Sequence, residues 1–171
     1  MSYFNQFGTI LYDPAGDGSA KLCTDIMSRV RVRANMKKEI VMLDPYNVKE
    51  NETPEIVADK HHGSPYYHWV VMLVNDISDV NHDWVKSTRQ MQKYLLTKYT
   101  ETQLTETHHY EIPQTSGDTT VMIEVENSTY PSATAITNYE YEIALNDSKR
   151  KIDLLRNNYL GIFVDEFSNI I

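Results

Sequence analysis

The side chains best equipped for chemistry in this chain are six histidines, His61, His62, His68, His82, His108 and His109. A zinc-binding helix carries two histidines four residues apart with an acid between them, and no pair here meets that spacing. The adjacent pairs His61–His62 and His108–His109 point their rings in different directions on a helix or a strand. Only His61, His62 and His68 have a route to convergence, across a turn between two helices. The pattern fits packing or surface histidines better than a metal centre, and no cofactor is expected. No G-x-S-x-G, P-loop or dinucleotide glycine pattern occurs, and GDGSAK at 16–21 lacks the Lys-Ser/Thr that a phosphate cradle requires. Asp76 is the one carboxylate at the end of an apolar run. Asn75 and Asp76 fit better as the exit of a helix than as an acid with a raised pKa. With no nucleophile set beside a base, the sequence reads as a non-enzyme.

The elements that hold these residues are bounded by composition. The chain has 171 residues, enough for one ordinary domain with extended arms. Its formal net charge of −8 opposes binding to nucleic acid, which needs a basic stripe, and makes a basic patch on another protein the easier partner. Cys23 is the single cysteine, so packing rather than disulfides must hold the fold. The start, MSYFNQFGTILYDP, lacks the pattern of a secretory signal, and no window approaches the roughly 18 apolar residues of a membrane span. A cytosol-like compartment, or release from one by lysis, is expected. Twelve tyrosines against four phenylalanines suit half-buried edges or surfaces covered by another protein.

Along the chain, residues 1–36 read as an aromatic arm followed by a loop at DPAGDGSA. Thr24 or Asp25 is a candidate helix cap, and Val30 and Val32 alternate with Arg29, Arg31 and Arg33 as in a strand. That basic run is either a solvated face or a docking site for an acidic partner. EIVMLDPY at 39–46 predicts a short strand stopping at Pro45. Two helices follow almost without a link: Thr53 and Ser64 are N-caps, Pro54 and Pro65 occupy first helical positions, and Gly63 is the turn. In the second helix Tyr66, Trp69, Val70 and Leu73 recur at helical spacing, while Tyr67, Val71 and Val74 load another face. A helix apolar on most sides is a central core element, so Trp69, Val70 and Leu73, with Ile56 from the first helix, are the expected core. A second-helix arrangement of this kind offers Tyr, His, Trp and Val where a DNA-reading helix needs Arg, Lys, Asn or Gln.

Beyond the pair, 83–99 predicts an amphipathic helix with Met91, Tyr94, Leu95 and Tyr99 in line. HHYEI and TTVMIEVEN around PQTSGD predict a hairpin, and YPSATAITN a loop. A polar helix is expected near 139–149, then the alternating KIDLL, and a last helix whose stripe is Leu160, Phe163, Val164 and Phe167. Such a terminal stripe packs on its own core or on a partner.

A strand, two abutting helices and a return strand is the layout of the LysM module, and "YNVKENETPEIVADKHHGSPYYHWVVMLVND" resembles that family's Thr-Pro start, Gly-x-Pro junction, Trp and terminal Asn. Its spacing is similar to that of the baseplate wedge subunits of T4-like contractile-tailed phages, the gene product 53 family. FNQFGTILYD, TDIMSRVRV, HDWVKSTRQMQKYLLTKY and NYEYEIALNDSKRKIDLLRNNYLGIFVDEF extend the likeness over most of the chain. His61–His62 stand where an aromatic is usual before Gly63, and Glu50–Asn51 replace a Gly-acid turn. The resemblance implies an α+β fold with an N-terminal arm (1–36), a LysM-like module (37–82) and a C-terminal region of helix, hairpin and terminal helix (83–171). It implies a structural subunit, six to a baseplate, clamping wedge proteins and joining neighbouring wedges around the hub, with hub or sheath-initiating proteins as further partners. It places the subunit in the virion after assembly in the host cytoplasm, with no nucleic acid or membrane contact. The interface candidates are Tyr3, Phe4 and Phe7 in the arm, Tyr66 and Tyr67 beside Trp69, and Leu160, Phe163 and Phe167 in the tail. The alternative is a module that binds peptidoglycan glycans, for which 47–52 and 76–80 supply polar groups but no aromatic platform.

Overall fold

Local signals set most of the elements of the computed structural model, which describes residues 3–28, 30, 32 and 41–171. A 3-10 turn at Tyr3–Gln6 leads into an antiparallel pair of strands, β1 (Thr9–Tyr12) and β2 (Lys21–Thr24). Then come β3 (Leu43–Asn47), α1 (Pro54–His62), a 3-10 turn at Pro65–Tyr67, α2 (His68–Val74) and the short α3 (Val80–Asp83). Next are α4 (Thr88–Lys98), α5 (Glu101–Leu104), β4 (Thr107–Pro113), β5 (Met122–Val125) and β6 (Thr134–Thr137). The chain ends in α6 (Asn138–Ser148), β7 (Lys151–Leu155) and α7 (Asn157–Ile170). The fold is α+β with small antiparallel sheets: β1 with β2, β3 with β7, and the order β5-β4-β6. No helix among the described residues is long and apolar enough to cross a membrane.

The chain divides into two units, one of Met1–Trp84 with Lys151–Ile171, the other Val85–Arg150. We refer to them as the composite and the inserted unit. In the composite unit, β3 finds its partner not in the residues just after α2 but in β7, with Leu43 opposite Leu155 and Asn47 opposite Lys151. The return strand expected within 37–82 does not form: no strand follows α2 before residue 107, and residues 75–150 separate α2 from β7, the strand that pairs with β3. A strand directly after α2 is blocked locally. Asp76 takes a left-handed backbone (φ 55°), and the polar ISDVNH that follows forms a capped turn, with Ser78 and Asp79 N–H both bonded to the Asp83 carboxylate.

Pro45 does not stop β3, which runs through it. The register sets Pro45 opposite Asp153, whose own N–H turns away from β3 to Asn75 Oδ1 at 2.9 Å. Pro45 therefore stands at a ladder position where no N–H is required, the tolerated place for proline in an edge strand. Residues 39 and 40 of that expected strand lie outside the described residues, as do Arg29, Arg31 and Arg33. Val30 and Val32 are partly buried against the core.

Two further corrections concern local chemistry. Thr24 ends β2, and Asp25 caps no helix. Its carboxylate takes the Met27 N–H (3.0 Å) and the Ser28 hydroxyl (2.9 Å) in a tight turn. Within the expected loop at 130–138, Thr134–Thr137 forms β6 on the free side of β4, with Ile136 opposite His109. The four residues TAIT carry the strand propensity of Thr and Ile, but so short a run shows only when its partner is present.

The inserted unit rests on helix caps. Ser87 and Gln90 make a reciprocal capping box on α4, Thr100 and Gln103 on α5, and Thr137 and Glu140 on α6. Helix α4 begins at Thr88 rather than near Asp83, because Ser87 is the residue that can satisfy its first N–H groups. The hairpin forms as expected, Tyr110 opposite Val125, with Gly117 at φ 78° in its turn.

Candidate functional site

Trp69 is the seat on which both chain ends of the composite unit close. The indole is 4% exposed and packs on Phe167 (ring centroids 4.5 Å apart), Tyr3 (5.7 Å) and Phe163 (6.1 Å). Tyr3 in turn meets Phe7 edge-on at 4.8 Å. These rings lie at the separations that add favourable quadrupole contacts to area burial. Phe7, Leu43, Val70, Val74 and Leu155 complete the cluster.

Beside this cluster runs a groove of about 710 Å³ whose walls include Phe4, Ile26, Tyr66, Trp69, Met72 and Ile77. Its polar groups are Ser28, His68, Asp76 and Ser78 with the hydroxyls of Tyr3 and Tyr66. Such a surface can pack an apolar segment.

Three polar seams fasten the ends of α1 and α2, one to its neighbours in the chain and two to the distant β7 and start of α7. At the start of α1, the buried Glu52 carboxylate accepts the Tyr46 hydroxyl (2.9 Å), the Lys49 N–H (2.8 Å) and the Lys60 ammonium, while its carbonyl accepts Trp84 Nε1–H at 2.8 Å. Burial works to raise the Glu52 pKa, and these hydrogen bonds, led by Lys60, outweigh it and hold the carboxyl below its usual range. At the exit of α2, Asn75 Nδ2 donates to the carbonyls of Val71 and Asp153, both at 2.8 Å, and Oδ1 accepts Asp153 N–H. One side chain thus pairs with the outer edge of β7 as a neighbouring strand would.

At the end of α1, His61 Nε2–H donates to the Leu155 carbonyl at 3.1 Å. Asn157 Nδ2 donates to the His61 carbonyl at 2.8 Å, which leaves its Oδ1 to accept from His62 Nδ1 at 2.8 Å. His62 therefore carries its hydrogen on Nδ1, and its buried Nε2 has no partner. Burial pushes the His62 pKa down, the nearby His61 adding to the effect and the Asn157 bond opposing it. The two histidines are a hydrogen-bonded dock for the start of α7.

In the inserted unit the buried groups include carboxylate and amide. Glu142, 2% exposed, accepts from Lys98 and from the Tyr99 hydroxyl at 3.0 Å. Asn146 accepts Lys86 N–H (2.8 Å) and donates to Lys86 O (3.0 Å). His108 stacks on Tyr141 at 3.9 Å, and His109 reaches Glu111 at 2.7 Å. Among the described residues no group of three or more His, Cys, Asp or Glu side chains is placed to hold a metal.

Of the expected residues, the caps stand where the sequence puts them. Thr53 Oγ1 accepts Ile56 N–H, Pro54 opens α1, Gly63 (φ 73°) returns its N–H to Asp59 O, and Ser64 Oγ accepts Tyr66 N–H ahead of Pro65. Trp69 and Val70 are buried and Leu73 half-buried. Ile56 is a correction: it is 41% exposed, while Val57 and Ala58 are fully buried. With Pro54 as first helical residue, positions 54, 57 and 58 share a face at i, i+3, i+4, which Ile56 does not join. The interface set also divides. Phe7, Phe163 and Phe167 are buried in the chain's own core, Tyr3, Tyr67 and Leu160 pack against it, and Phe4 and Tyr66 remain exposed. The aromatic arm is thus folded back on Trp69, because α7 presents it with an apolar stripe. Glu52, Trp84, Glu142 and Asn146 escaped sequence reading, since no local pattern marks such a group as buried, and the exposed Asn157 escaped it because its partners His61 and His62 lie some 95 residues earlier. The Pro54–Val57–Ala58 spacing would have revealed Val57.

Caps, polar seams and an aromatic seat are what the described residues of the composite unit bring together around Trp69. A family profile described as base plate wedge protein 53 matches residues 22–132. The chain belongs to that family, structural proteins of the phage tail baseplate, and so works among other baseplate components in the virion tail. Comparison with individually curated proteins returns no match. The matched stretch runs from β2 to beyond β5 and stops short of β7, so the strand that pairs with β3 lies outside it.

Proposed function

We propose that the chain is a non-enzymatic wedge subunit that clamps other wedge proteins and joins neighbouring wedges around the hub, six to a baseplate, assembled in the host cytoplasm. In this reading β3, α1, α2 and β7 form a LysM-like module that serves as a packing unit. The observation that carries it is the closure of both chain ends on Trp69. The N-terminal turn and α7 cover the module's core, leaving Phe4, Tyr66 and the groove between them as apolar surface for partners. The loop before α1, where a glycan-binding module would present polar groups, instead directs Glu52 inward to Tyr46, Lys49 and Lys60. That favours packing over sugar recognition.

The test is light scattering after size exclusion on the chain alone and mixed with the other wedge proteins of the same genome, with peptidoglycan sedimentation on the same preparation. Co-elution in a complex of defined mass without sedimentation is expected. A monomer that ignores the wedge proteins and sediments with peptidoglycan would overturn the clamp.

A further inference from the structure

The β1–β2 ribbon is a sheet of two strands in which all eight residues are exposed. Leu11 faces Leu22 across the ladder, and these two side chains are 73% and 69% exposed. A lone two-stranded ribbon is marginal in water, and natural edges are blunted by lysine, proline or bulges. β1 (TILY) has none of these, and its register with β2 is regular.

The hydrogen-bond phase shows which groups are open. Asp25 N–H donates to Gly8 O at 2.8 Å, so the alternate pairs Ile10/Cys23 and Tyr12/Lys21 face inward while Thr9 and Leu11 turn N–H and C=O outward. On β2 the outward carbonyl of Thr24 already accepts Ile26 N–H at 3.0 Å. Leu22 also turns its N–H and C=O outward, so of the two edges that of β1, where no outward group is taken, is the more open among the described residues.

Charge selects the occupant. At the ribbon's tip the exposed Asp13 carboxylate receives the N–H groups of Gly18 and Gly16, both at 2.8 Å, and of Ala15 at 3.2 Å; Asp17 receives Ser19 N–H at 2.9 Å. Both are fixed as anions, the whole chain carries −8, and a second copy would bring like charge to like. A four-residue strand is about 13 Å long, so the tip lies within or near one Debye length of an added strand.

We propose that the outer edge of β1 takes up an extended segment of another baseplate protein as a third strand, one that alternates apolar residues with Lys or Arg. The apolar positions cover the Leu11–Leu22 face and the basic ones meet Asp13 and Asp17. That the donor is a baseplate protein rests on the wedge reading; the edge itself does not.

The experiment uses the full chain and 12-residue peptides tiling the other baseplate proteins of the same genome, read by fluorescence anisotropy. Leu11→Pro deletes one outward N–H and no bond to β2; Leu22→Lys alters the apolar face and leaves the β1 backbone intact. A basic, alternating peptide is expected to bind, to weaken at least tenfold with Leu11→Pro, to weaken with Leu22→Lys and with added salt, while Ile10–Cys23 cross-strand NOEs persist. Absence of any binding peptide, binding indifferent to both variants, or dimerisation of the chain through this edge would overturn the proposal. Should Leu11→Pro enter wedge complexes as well as the parent chain does, the strand proposal falls and the wedge reading stands. A peptide bound at this edge by a chain that enters no wedge complex would keep the strand and overturn the wedge reading.

Discussion

The two units solve the same problem with different materials. The composite unit closes mainly on aromatic and aliphatic side chains, Trp69, Phe163, Phe167, Leu154 and Leu155 among them, and buries one carboxylate, Glu52, against near neighbours in the chain. The inserted unit buries few apolar side chains, Val85, Met91 and Leu95, and with them Glu142 and Asn146. Apolar burial is non-directional and scales with area, whereas a buried carboxylate contributes only while its partners hold it. The first unit should therefore respond most to loss of volume, and the second to loss of a single partner.

Removing volume tests the first half. Trp69→Ala should cost about 3–5 kcal/mol, and urea unfolding followed by circular dichroism would show it. A loss under about 1 kcal/mol would mean that the rings around Trp69 do not share one core. Removing a partner tests the second. Glu142→Gln leaves the Lys98 ammonium without its counter-charge and should cost about 2 kcal/mol, whereas an equally conservative change on the exposed Glu124 should cost less than about 0.5 kcal/mol. Asn75→Ala isolates a seam within the apolar unit. It frees Asp153 N–H and two carbonyls, and a cost of about 1–3 kcal/mol is expected, with faster amide exchange at Asp153 as the diagnostic.

Acid separates the units more gently. His62 has a depressed pKa in the folded chain, so the unfolded chain binds its proton first; the associated stability is full above about pH 6.5 and drains as pH falls through the folded value. Glu142 also has a depressed pKa, but its stability is full above the ordinary glutamate range and is lost only as pH falls below it. Between pH 7 and 5 the composite unit should weaken while the inserted unit holds. His62→Phe, which removes the titrating ring and keeps an aromatic volume, should flatten the dependence, which pH-resolved urea titrations would register.

What the sequence makes legible follows the range of the forces. Caps and turns act within four residues, so Thr53, Gly63 and Ser64 announce α1 and the turn into α2, and Gly117 the hairpin. Helical periodicity likewise exposes Trp69, Met91, Leu95 and the Phe163–Phe167 stripe. Pairing across 78 residues, as between Asn75 and Asp153, leaves no local mark. KIDLL reads as a strand, yet nothing in it names β3 as its partner. The aromatic arm illustrates the same limit. Tyr3 and Phe7 are plainly apolar in sequence, and whether they cover a partner or Trp69 depends on where α7 lies. Ile56 failed for a smaller reason, a helix phase read one position early.

The pairing of β3 with β7 makes the composite unit one body from two ends of the chain, and it is open to a direct measurement. Residues 1–150 and a peptide of residues 151–171 would be prepared separately, and near-ultraviolet circular dichroism recorded on a Trp84→Phe background, so that Trp69 is the sole indole. The fragment alone should lack the ordered Trp69 bands and regain them on adding one equivalent of peptide. Native bands from residues 1–150 without the peptide would contradict the closure of the unit by β7 and α7.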